Sequence, residues 1–136
     1  MDYRYEFVDG PFQVIVTTSG DADTDAIVAG RRRLLADPRF RPEMNILVDH
    51  SRLDVSAATA EEIRDAAATA SGERPGTTTG LLAIVSPSPL QFGLMRMYQA
   101  FASEDLESRL AVVRSVEAAY RWLEERTAGP PRPGVA

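Results

Sequence analysis

The 136 residues carry 15 basic and 20 acidic side chains, for a formal charge of −5, with one histidine and no cysteine. A chain of this length folds as one domain burying about two-thirds of its unfolded surface, and without cysteine it has no disulfide, thiolate nucleophile or thiolate-held metal. Every basic residue is an arginine, which removes lysine Schiff-base chemistry and a phosphate-loop lysine, while the acidic balance speaks against a nucleic-acid surface.

Tyr3, Tyr5 and Phe7 alternate with Arg4 and Glu6, the period-two pattern of a half-buried strand. Asp9-Gly10 is a turn dipeptide, and Phe12 to Thr17 completes an antiparallel hairpin. A first helix begins among Asp21, Asp23 and Thr24 and runs to Ala36, stopped by Asp37-Pro38. Asn45 to Asp49 is a continuous apolar strand, as expected where both faces are covered. Thr59-Ala60-Glu61-Glu62 is a capping box, opening a second helix to Ala70 with a face of Ile63, Ala67 and Ala70. A polar loop, Ser71 to Gly80, leads to a strand over Leu81 to Val85. Ser88-Pro89-Leu90-Gln91 is a second capping box with proline at the first helical position, so a third helix runs to Ala102. Leu110 to Val113 is the last strand. Ser115 caps a fourth helix with Val116, Ala119, Tyr120 and Leu123 facing inward.

The order ββαβαβαβα predicts an α/β fold: a mixed, mostly parallel five-stranded sheet with right-handed crossovers. Residues 1–126 form the single domain, and 127–136, rich in proline and glycine, read as a disordered tail. Apolar runs of about six residues are far short of a membrane span. Asp2 and Glu6 stand where a signal peptide would be basic, so a cytoplasmic protein is expected.

The run Leu81-Leu82-Ala83-Ile84-Val85, the helix Pro89-Leu90-Gln91-Phe92-Gly93-Leu94-Met95-Arg96-Met97-Tyr98-Gln99-Ala100-Phe101 and the ending Val113-Arg114-Ser115-Val116 to Trp122-Leu123 resemble the SpoIIAA-like family. That family is related to STAS domains and, at fold level, to lipid-binding CRAL-TRIO domains. The resemblance implies a STAS-like fold and a regulatory module without chemistry of its own. True anti-sigma antagonists carry a phosphorylatable Ser or Thr in an Asp-Ser-Ser-Gly-like sequence. The matching stretch here, Leu53 to Thr59, lacks the glycine and the paired hydroxyls, leaving Ser56 and Thr59 as candidate phosphoacceptors. A phosphate at a helix N-terminus is electrostatically welcome, although Thr59 is better explained as a cap.

Asp49, His50, Ser51 and Asp54 gather at the C-terminal end of a strand, where open α/β sheets hold ligands, and His50 oriented by Asp54 is the one general-base candidate. No strained Gly-x-Ser-x-Gly elbow accompanies them, so satisfied loop polar groups are the expected reading and no catalytic residue is assigned. Asp21-Ala22-Asp23-Thr24-Asp25 imitates half a calcium loop, but Ala26 and Arg32 stand where glycine and glutamate are needed. No metal or cofactor is assigned. Arg31 falls among Ile27, Val28, Leu34 and Leu35, an arrangement that lays its stem on the core rim or anchors an anion in a pocket.

The third helix carries the functional expectation. Leu90, Leu94, Met97 and Phe101 suffice to pack it on the sheet, leaving Phe92, Met95, Arg96 and Gln99 as a contact surface for a protein partner, in the first instance a second copy of the chain. The alternative is a carrier or sensor of a small apolar or acyl-type ligand between sheet and third helix, anchored by Arg31 or Arg96.

Overall fold

The opening hairpin forms as its alternation demands. In a computed structural model, which describes residues 1–74 and 76–128, strand β1 (Asp2–Phe7) pairs antiparallel with β2 (Val14–Asp21). Phe12, expected as strand, belongs to the turn, where its ring is fully buried. Asp23 caps α1 (Thr24–Ala36) by accepting from Asp25 N and Ala26 N, the role its acidic run serves. The chain then enters β3 (Ile46–Asp54), which pairs parallel to β2 and continues five residues beyond the apolar run ending at Asp49. Its extension is polar, and the second half of β2 supplies the missing pairing, past a register irregularity between Thr17 and Ser19.

Both capping boxes are present. Thr59 opens α2 (Ala60–Ser71), and Ser88 opens α3 (Pro89–Phe101) with Pro89 at its start. Between them β4 (Leu82–Val85) joins β3 in parallel. A five-residue helix, α4 (Glu104–Ser108), follows α3 and was not expected; Ser103 caps it. Strand β5 (Leu110–Val113) lies parallel to β4, and α5 (Val116–Ala128) ends the described chain. It runs two residues past the boundary expected at 126; the remainder of the predicted tail, 129–136, lies outside the described residues.

The sheet is α/β and mixed, in the order β1-β2-β3-β4-β5, with one antiparallel pair. Right-handed crossovers between successive parallel neighbours put every crossover helix on the same face. The cores agree. Val14, Val16, Ile46, Leu82, Ile84, Leu110 and Val112 meet Leu34, Ile63, Leu94, Met95 and Leu106 from α1 to α4. On the opposite face Leu47, Ala83 and Val85 meet Ala119 and Leu123 of α5, with Phe12 beneath. Tyr120, expected inward, is partly exposed with its ring edge-on to Phe12, and Val116 is also at the surface.

Small residues set the spacing of this stack. Gly30 is buried where α1 crosses β1, and a Cβ there would enter the Tyr3 ring. Ala66, Ala67 and Ala70 occupy the side of α2 turned toward the sheet and toward α1.

Candidate functional site

The third helix is rotated from its expected setting. Leu90 is 53% exposed and Phe101 43%, whereas Gln91 is 5% and Met95 9% exposed. The inward line is Gln91, Leu94, Met95 and Tyr98, an equally valid helical spacing that the sequence conceals because it begins with a polar side chain. Gln91 has a specific task there. Its Nε2 donates to His50 O at 2.8 Å and to Leu53 O at 2.7 Å, satisfying carbonyls at the irregular stretch of β3. Its Oε1 accepts from Ser88 N in the capping box. One amide thus starts the helix and fixes its rotation.

The expected contact surface is corrected accordingly. Met95 is core, Gln99 is half-buried and donates to Leu110 O, and Phe92 lies half-buried with the Arg114 guanidinium over its ring. Of the four residues, Arg96 lies in the open.

Rotation of α3 places Met95 and Tyr98 on an apolar crevice of about 90 Å³ between the sheet and three helices. Val48, Leu82 and Ile84 form its floor, with Ile27 of α1 and Ile63 and Ala66 of α2 as walls. It shares Ile27, Arg31, Ala66 and Tyr98 with a neighbouring outer cleft of about 270 Å³ between α1 and α2, lined also by Leu35, Ala70 and Glu73. Polar groups are few and placed at the ends. Burial pushes the Tyr3 phenol up to about 12, and raises that of Tyr98, against the pull of the neighbouring Arg31 charge.

His50 sits at the inner end. Its Nδ1 lies 2.7 Å from the Thr18 hydroxyl, and burial lowers its pKa to about 4, outweighing the opposing influence of Asp49. It is therefore a neutral ring at neutral pH. Asp54, the expected orienting carboxylate, instead accepts from Ser56 N, while Asp49 accepts from Ser51 N. The cluster read from sequence is thus divided, with His50 facing the helices and the carboxylates bonded into their own turns.

Arg31 lines both crevice and cleft, and its head group is neither in open water nor free for an anion but paired with a residue the sequence did not point to. Nε donates to Glu73 Oε1 at 2.6 Å and Nη2 to Oε2 at 3.0 Å, a side-on bidentate pair. Burial opposes the arginine charge, yet Glu73 more than offsets it and raises its pKa. Ser56 is exposed three residues before the Thr59 cap, whose hydroxyl is occupied by Glu62. Among the described residues no group of three or more metal-ligating side chains converges, and no helix is long and apolar enough to cross a membrane.

Comparison with solved structures matches this arrangement of strands and helices. An uncharacterised DUF3478-family protein with a SpoIIAA-like fold, from Shewanella loihica PV-4, superposes with a TM-score of 0.53. The match covers 90% of this chain and 92% of that one, at 18% identity. The chain has a SpoIIAA-like fold. Neither a protein-family model nor a curated protein matches it.

Within this SpoIIAA-like fold, sequence reasoning missed Tyr3, Glu73, Gln91 and Tyr98 as site residues. Tyr98 was legible as the border of an apolar helix, and Tyr3 as a large ring facing inward from β1. Glu73 lies in a polar loop, 42 positions from Arg31, and no local pattern marks that pairing.

Proposed function

We propose that this domain binds a small, predominantly apolar molecule in the crevice between the sheet and α1, α2 and α3, and performs no reaction on it. The observation that carries this reading is the placement of Met95 and Tyr98: they face Ile27, Ile63 and Ile84 across space that side chains leave unfilled. Protein interiors are close-packed, so an unfilled, mostly apolar crevice beside an open cleft is a departure from the norm and offers room for an apolar guest. Methionine adapts its shape to varied occupants. Two features support binding over catalysis. His50 is neutral and engaged with Thr18, and the carboxylates beside it in sequence face elsewhere.

The test is saturable uptake of a neutral apolar fluorophore, N-phenyl-1-naphthylamine. Ala66→Leu fills the crevice and is expected to weaken uptake at least tenfold, while Ala100→Leu, on the exposed side of α3, leaves it unchanged. Equal uptake by wild type and Ala66→Leu would defeat the proposal.

A second reading, an interaction surface for another protein or a second copy, keeps one observation in its favour. Leu90 and Phe101 stand exposed on one flank of α3, eleven residues apart and so nearly in line.

A further inference from the structure

An ion pair stands where the crevice meets the outer cleft. The side chains of Arg31 and Glu73 are 19% and 23% exposed, and they link α1 to the loop after α2. A guanidinium this enclosed requires an anion, because leaving a buried charge unpaired is strongly unfavourable. Glu73, however, is loosely mounted. Its peptide donates a long 3.4 Å bond to Ala70 O, just past the α2 cap Gly72, and Gly76 further along the loop adopts φ +84°. The carboxylate is thus carried by a loop, whereas the arginine is built into a packed helix.

We infer that the ligand of the crevice is an aliphatic monocarboxylate, whose head group takes the place of Glu73 on Arg31. This rests on the crevice being the binding site. Arg31 is the charged side chain common to the crevice and the outer cleft, and its Nε and Nη2 edge already holds a carboxylate side-on. Exchange of one carboxylate for another leaves the local charge unaltered, so the electrostatic contributions nearly cancel and burial of the tail decides the outcome. A dianionic head group would bring a surplus negative charge against the phenols of Tyr3 and Tyr98, both shielded from solvent. Each methylene entering the crevice strengthens binding about fourfold.

Octanoate, hexanoate and 1-octanol are the probes, titrated by calorimetry into wild type, Glu73→Gln and Arg31→Met, with circular dichroism confirming the fold of each variant. Octanoate is expected to bind roughly fifteenfold tighter than hexanoate, from two methylenes, and at least tenfold tighter than octanol. Glu73→Gln removes the internal competitor and tightens octanoate about tenfold, the gain when the competent fraction rises from about a tenth toward unity. Arg31→Met abolishes the preference for octanoate over octanol while octanol still binds. Equal affinity for octanoate and octanol, unchanged by Glu73→Gln, refutes the carboxylate assignment and leaves the crevice as a neutral site. Absence of binding by all three probes in wild type and Glu73→Gln alike refutes both the assignment and the crevice reading beneath it.

Discussion

The single histidine gives the fold a pH response that can be isolated from every other group. Burial lowers the folded pKa of His50 to about 4 from an ordinary 6.5. Above pH 6.5 the imidazole is neutral in folded and unfolded chains alike, and stability is unaffected. As pH falls below 6.5 the unfolded chain takes up a proton that the folded chain refuses, so stability is lost until about pH 4. The slope in this window approaches 1.36 kcal/mol per pH unit, and the loss between pH 7 and 4.5 amounts to roughly 2.4 kcal/mol. Ordinary glutamates begin to titrate at the acid end of this window, and because His50→Gln carries the same carboxylates, the difference between the two proteins isolates the histidine. Asp37, held well below the carboxylate range by the Arg39 guanidinium and backbone, responds at still lower pH. Urea unfolding, followed through Trp122 fluorescence at pH 7.0, 5.5 and 4.5, measures the loss directly. His50→Gln retains a polar group for Thr18 yet cannot titrate, so its stability is expected to vary by less than about 0.5 kcal/mol over the same range. Parallel curves for wild type and His50→Gln would refute the assignment of His50 as a buried neutral ring.

Two substitutions probe the architecture around the site. Gln91→Leu leaves the carbonyls of His50 and Leu53 unsatisfied and is expected to cost about 3 kcal/mol, a fall in Tm of roughly 10 °C by circular dichroism; a shift under 2 °C would show that Gln91 does not set the helix. Gly80→Ala drives a Cβ into the backbone carbonyl of Met44, which cannot swing aside, and should cost about 2 kcal/mol or more in urea unfolding. Gly93→Ala, in mid-helix with open space around its Cβ, is expected instead to stabilise by up to about 1 kcal/mol, and a loss there would mean that α3 is not exposed on that side.

The elements most readily read from sequence were those whose signals are local. The two capping boxes, the helix start among Asp21, Asp23 and Thr24, and the short apolar runs at Leu82–Val85 and Leu110–Val113 each depend on residues within a few positions, and each appears where expected. What escaped depends on distant partners. His50 to Asp54 has no apolar run and becomes strand because Ser19, Gly20 and Asp21 pair with it. Five residues are too few to show the periodicity of α4. The rotation of α3 was misread because hydrophobicity favours Leu90, Leu94, Met97 and Phe101, whereas the fold spends a buried position on Gln91 to satisfy β3. The site inherits this pattern. Arg31 and His50 stood out by type and setting, but their partners Glu73 and Thr18 lie 42 and 32 residues away.

Helix α5 covers β4 and β5 on the second face and leaves the outer part of the hairpin uncovered there, where Arg4, Glu6 and Arg52 meet water while Ile15 still packs on the edge of that core. The molecule is consequently a three-layer sandwich at one end and a two-layer one at the other. Strand β1 is clamped by its ladder to β2 and by Tyr3 and Tyr5 against the helices, without a counterweight behind it. Local opening of a protein draws on the parts with the fewest buried apolar contacts. Here that thin margin is the strand that contributes Tyr3 to the crevice wall, so the pliant edge and the binding chamber are the same piece of the molecule.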